Sequence, residues 1–137
     1  MWIIYALGSA LFAALTSITA KIGITGIDSN LATAIRTAVV LIIATGIVYM
    51  TGVSQQISNI SQKCWLFLIL SGIMTGLSWL CFFKALQLGE TSRVVSIDKF
   101  SIVLVVIMST LILKETINAK IISACILITI GTILMVV

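Results

Sequence analysis

The 137 residues contain no proline and no histidine, only four acidic side chains and three cysteines. Without histidine the usual zinc sets cannot be assembled, and Cys64, Cys81 and Cys125 stand in separate apolar stretches without the short spacing that metal-binding thiolates need. They read as small apolar side chains within the membrane. The missing histidine also removes the commonest general base, and no Ser-x-x-Lys stands in an accessible setting with a partner acid. Neither an enzyme nor a bound cofactor is expected. Charge is equally scarce: 9% of the residues are charged against 61% hydrophobic, too little polar surface to solvate a soluble domain. The net charge of +4 does not point to nucleic acid, because the basic residues stand singly among apolar runs and form no patch or basic helix face.

What is present is a series of apolar runs of membrane length. The run from Val94 to Leu113 is uncharged from Phe100 onward, and about 20 residues at roughly 1.5 Å each cross the roughly 30 Å hydrocarbon layer. Comparable runs predict an all-α integral membrane protein, a single transmembrane domain over 1–137 with spans at about 2–20, 31–51, 64–86, 94–113 and 118–137. The first run has no basic segment before it and is long for a signal sequence, so it is read as a span. Short polar links separate the spans. In 21–30, Gly23 and Gly26 relax the helix and Asp28 is a candidate cap; Gly52 to Lys63 is the one genuine extramembrane loop; Thr91 or Ser92 can cap the fourth helix. No room is left for a soluble catalytic domain, and five spans place the two ends on opposite sides.

Three features inside the spans are candidates for function. Asp98 and Lys99 lie more than one turn into the fourth span and Arg36 lies six residues past Asn30 in the second. A charge near mid-membrane costs at least about 2.5 to 3.5 kcal/mol, which asks for pairing or for a polar cavity. Arg36 can either snorkel to the headgroups or face inward. The second and fourth spans begin on the same side, so Arg36, Asp98 and Lys99 are expected at similar depth, where Asp98 could pair with Arg36 or Lys99. Trp79, Phe82 and Phe83, spaced i, i+3 and i+4, form an aromatic stripe that packs on neighbours or lipid, or lines a cavity. Gly72 and Gly76 form a GxxxG pair that lets another helix approach closely.

Charge gives the chain little reason to prefer one orientation. Lys63, Lys114 and Lys120 flank the spans on one side, Lys21, Lys84 and Arg93 on the other, and only counting the deep Arg36 and Lys99 tips the balance.

Four stretches carry a family resemblance: YALGSALFAALTSITAKIGI at Tyr5 to Ile24, LATAIRTAVVL at Leu31 to Leu41, SGIMTGLSWLCFFKALQLGETSRVVSIDKFSIV at Ser71 to Val103, and ILKETI at Ile112 to Ile117. In order and spacing the chain resembles one EamA-like unit of the drug/metabolite transporter superfamily. The resemblance implies one half of a ten-helix inverted-repeat transporter. Full-length relatives join two such units in inverted orientation around a central path, and many export amino acids, metabolites or drugs. The chain departs from the pattern at Ser96, where related units often carry proline, and at Lys114, where they often carry glycine. Glu115 matches the family's loop acid and is read as structural.

A single unit needs a second copy to complete a path between inverted repeats. The resemblance thus implies a secondary transporter of small metabolites or amino acid-like solutes, in a prokaryotic cytoplasmic (inner) membrane, working by alternating access as an antiparallel homodimer of dual topology. This is similar in logic to the small multidrug resistance proteins, but the first helix here has no acid to match their glutamate. Arg36, Asp98 and Lys99 would then supply polar contacts to a small-molecule substrate, and Trp79, Phe82 and Phe83 would line or gate the path. Basic residues facing that path would favour an anionic or zwitterionic solute. The alternative is a non-transporting membrane subunit or lipid flippase component that pairs with an unlike protein through Gly72 and Gly76.

Overall fold

With no charge between Trp2 and Ala20, the first segment has nothing to interrupt it, and in the computed structural model, which describes all residues 1–137, it forms helix α1, Trp2–Gly23. Two hydroxyls along it bond to their own backbone: Ser17 Oγ donates to the carbonyl of Ala13 (2.9 Å) and Thr19 Oγ1 to that of Leu15 (2.8 Å). This is how a hydroxyl is carried through lipid without an unsatisfied donor. Helix α2 follows at Ser29–Met50, α3 at Gln62–Leu88, α4 at Thr91–Asp98, α5 at Ser101–Leu113 and α6 at Ala119–Val136, with a 3-10 helix at Val53–Asn59. The fold is all-helical. Five segments are long and apolar enough to span a membrane: α1, α2, α3, the α4–α5 pair from Thr91 to Leu113, and α6.

The helix ends follow from local chemistry. Asp28 caps α2 by accepting from the Asn30 amide (2.8 Å), Ser61 accepts from the Cys64 amide (3.3 Å) at the start of α3, and Asn118 accepts from the Lys120 amide (3.2 Å) at the start of α6. Gly26 and Gly52 have φ of +82° and +69°, the left-handed conformation that glycine takes without strain. The expected cap of the fourth span moves by one residue: Glu90 holds the N-cap position, and Thr91 is already helical. The Glu90 carboxylate does not reach the free amides, because it pairs with Arg93 Nε at 2.9 Å.

The fourth span is not one continuous helix. At Lys99 and Phe100 the backbone tightens to φ/ψ of −66°/−16° and −60°/−21°, close to 3-10 values. The amides of Phe100, Ile102 and Val103 donate three residues back, to the carbonyls of Ile97, Lys99 and Phe100. The ladder is therefore interrupted without any proline.

The chain forms two compact units, residues 22–87 and residues 1–21 with 88–137. In the first, Ile24, Phe83 and Leu86 are buried, together with Ser29 and Thr33 of α2. Gln87 Nε2 donates to the carbonyl of Ile27 (2.9 Å), tying the end of α3 to the link before α2. In the second, α6 packs along α4 and α5. Arg93 donates to the Val136 carbonyl (3.3 Å), and Thr132 Oγ1 donates to that of Ser96 (3.3 Å). An open groove of about 360 Å³ runs between α5 and α6, walled by Val103, Ile107, Ile122 and Ile126 and almost wholly apolar. In the same unit Lys21 Nζ donates to the Gly89 carbonyl (2.7 Å).

Candidate functional site

In residues 22–87 the deep cation and the aromatic stripe come together. The guanidinium carbon of Arg36 lies 4.3 Å from the centroid of the Trp79 ring and 5.1 Å from that of Phe83. Trp79 and Phe83 are four residues apart on α3 and so share a face, while Arg36 is presented by α2. A guanidinium over an aromatic face is worth about 0.5 to 1 kcal/mol when exposed and about 2 kcal/mol when desolvated. Phe83 is buried, whereas Arg36 and Trp79 are only partly covered. Phe82 belongs to the aromatic cluster through Phe83, edge-on with centroids 6.2 Å apart, and has no stacking contact with Arg36.

The polar lining of α2 extends beyond Arg36. Ser29, Thr33, Arg36 and Thr37 stand at i, i+4, i+7 and i+8, one stripe of the helix. Thr33 Oγ1 donates to the Ser29 carbonyl (2.8 Å) and Thr37 Oγ1 to the Thr33 carbonyl (2.7 Å). Their protons are committed to the backbone, which leaves the oxygens as acceptors only. The sole acid of residues 22–87 is Asp28, and its carboxylate serves as the α2 cap.

In the other unit, Asp98 and Lys99 stand next to each other at the end of α4. Lys99 Nζ lies 3.6 Å from Asp98 Oδ2, with both side chains about half exposed. The pair flanks the interrupted turn of the fourth span. Asp98 thus has Lys99 as a partner, as the sequence allowed. Gly72 and Gly76 look onto open space: a Cβ built on either meets nothing within 4 Å, so the single chain itself places no helix against them.

Two parts of this arrangement escaped the sequence reading. The stacking of Arg36 on Trp79 and Phe83 was readable in principle from depth: Arg36 is seven residues into α2, and Trp79 and Phe83 are nine and five residues before the end of antiparallel α3. These are axial distances of about 10, 13 and 8 Å from one membrane face. The threonines beside Arg36 stand at helical spacing in the sequence, but nothing in their type sets them apart from the other hydroxyls within the spans.

The profile of the EamA-like transporter family matches residues 1–137. A curated protein of Sinorhizobium sp., described as an uncharacterized transporter in the cobO 3' region, is 50% identical over 117 residues, which is 85% of this chain and 83% of that protein. No solved structure matches. With five apolar segments of spanning length and a family match over 1–137, the chain belongs to the EamA-like transporter family and is an integral membrane protein of the transporter class.

Proposed function

We propose that the chain is a secondary transporter of small metabolites or amino acid-like solutes, exporting them across a prokaryotic cytoplasmic membrane by alternating access as an antiparallel homodimer. The observation that carries this is one of size. One five-helix unit matches the family profile, and the Sinorhizobium transporter, of which the alignment covers 83%, is itself about one such unit long. Transporters built from inverted repeats form their binding site between two units, so a one-unit chain needs a partner related to it by inversion.

Two further features agree with that reading. Basic residues within about a turn of the helix ends divide evenly, Lys63, Lys114 and Lys120 on one side against Lys21, Lys84 and Arg93 on the other. Insertion in both orientations follows from an absent bias. Large apolar side chains face outward along every span, among them Leu11, Ile42, Leu70, Leu104 and Leu127, and they supply surface for lipid and for a second copy. Arg36, Trp79, Phe82, Phe83, Asp98 and Lys99 line the path, and Gly72 and Gly76 permit close helix contact.

The test is the sidedness of the C-terminus. A tag after Val137 is probed with an impermeant reagent in intact cells and again after lysis. Labelling of about half the copies before lysis is the expected result for dual insertion. Labelling of all or none would replace the antiparallel dimer by a parallel assembly or an unlike partner.

A further inference from the structure

We infer that Arg36, held against Trp79 and Phe83, is a receptor for the oxyanion of an organic solute, so that the protein takes carboxylates, free or in zwitterions, and rejects permanent cations. This deepens the transporter reading proposed above and rests on it for its biological meaning, though not for its test.

The guanidinium carbon sits over the Trp79 ring at 4.3 Å and over the Phe83 ring at 5.1 Å. A ring face attracts the cation without offering it a lone pair, so these contacts hold the group while its fork of N–H donors is not taken up by a conventional acceptor and can form a two-pronged contact. The aromatic contact also leaves the full positive charge in place, since a ring quadrupole carries no net charge. Within residues 22–87 no carboxylate answers that charge, because Asp28 is engaged with the Asn30 amide. The neighbouring hydroxyls cannot take over the role. Thr33 and Thr37 have given their protons to backbone carbonyls and can only accept. The charged donors for an oxyanion therefore come from Arg36, while the threonine oxygens suit the ammonium of a zwitterion. The partly exposed indole of Trp79, backed by the buried Phe83, supplies an apolar wall for the rest of the solute.

A lipid phosphate is an oxyanion too, and the test separates the two sources. The full chain is purified in maltoside micelles, which contain no phosphate, with Trp2→Phe and Trp65→Phe leaving Trp79 as the single indole. Its fluorescence is titrated with hexanoate, norleucine, hexanamide and hexyltrimethylammonium. Hexanoate and norleucine are expected to give saturable changes, with the amide and the cation at least about ten-fold weaker. Arg36→Gln should weaken hexanoate at least about ten-fold, and Arg36→Lys, which keeps the charge but loses the fork and the stack, should fall between. Equal binding of the cation, or hexanoate binding unchanged in Arg36→Gln, would overturn the inference. So would a saturable response to phosphatidylcholine added to the micelles that abolishes the hexanoate response, since the headgroup would then be the occupant. If Arg36→Gln does not fold, the ranking of the four probes on the parent chain still decides.

The two readings can fail separately. Hexanoate binding without uptake into vesicles would leave the receptor standing and remove the transporter. Uptake of a cation that survives Arg36→Gln would do the reverse.

Discussion

Lys114 is the one non-glycine residue with positive φ, at φ 56° and ψ 33°, where it closes α5 in the left-handed conformation. There the Cβ crowds the following carbonyl, at a cost of about 1 kcal/mol that glycine avoids. Related units often carry glycine at this place, and the backbone geometry supplies the reason. Lys114→Gly is expected to raise resistance to denaturant by about 1 kcal/mol, read as an unfolding midpoint in detergent, whereas Lys114→Ala, which removes the same charge and keeps the Cβ, gains nothing. Equal gains from both would assign the effect to charge. Asp98 is a second test at this scale. Lys99 lies 3.6 Å from it, and Asp98→Asn leaves that ammonium without its partner inside the fourth span. On the proposed function Asp98 lines the path, and with Lys99 about half exposed its ammonium tolerates the loss, so the variant should insert normally yet transport at least about ten-fold more slowly. Normal uptake by this variant would remove Asp98 from the path.

The fourth span shows what an element adds to its residues. Where the ladder tightens at Lys99 and Phe100, the amide of Phe100 turns to Ile97, and the carbonyl of Ser96 accepts instead from Thr132 of α6 at 3.3 Å. In lipid a freed carbonyl has no water to turn to. Thr132→Val should thus destabilise the protein by about 1 to 2 kcal/mol and speed amide exchange around Phe100, with Thr132→Ser restoring both. An unchanged exchange rate would mean that the break does not depend on α6. The sequence made the spans legible because a membrane crossing needs only length and the absence of charge, as in Phe100 to Leu113. It did not reveal this interruption, since the usual signal is proline and the chain has none; the marks it left were Ser96 in the place of that proline and two charges just beyond. The Arg36 site was half legible. Each member stood out by type or spacing, but their meeting required comparing depth along α2 and α3, and the committed threonine hydroxyls required the coordinates.

At the scale of the whole molecule, orientation becomes something that can be written into the sequence. The even division of basic residues predicts that small changes decide which way a copy inserts. Ser54→Lys with Gln55→Lys, in the exposed 3-10 stretch Val53–Asn59, should hold that side in the cytoplasm. Lys63→Gln with Lys120→Gln should do the opposite, and neither pair touches Arg36, Asp98 or the stacked rings. If the working form is antiparallel, each locked variant made alone is expected to lose at least about nine-tenths of its transport, while the two made together recover it, because only the mixture supplies units related by inversion. The C-terminal tag reports in the same cells whether each variant has inserted as designed. Full transport by either locked variant alone would show that copies facing the same way suffice. Loss that co-expression fails to restore, with both orientations present, would instead direct attention to an unlike partner.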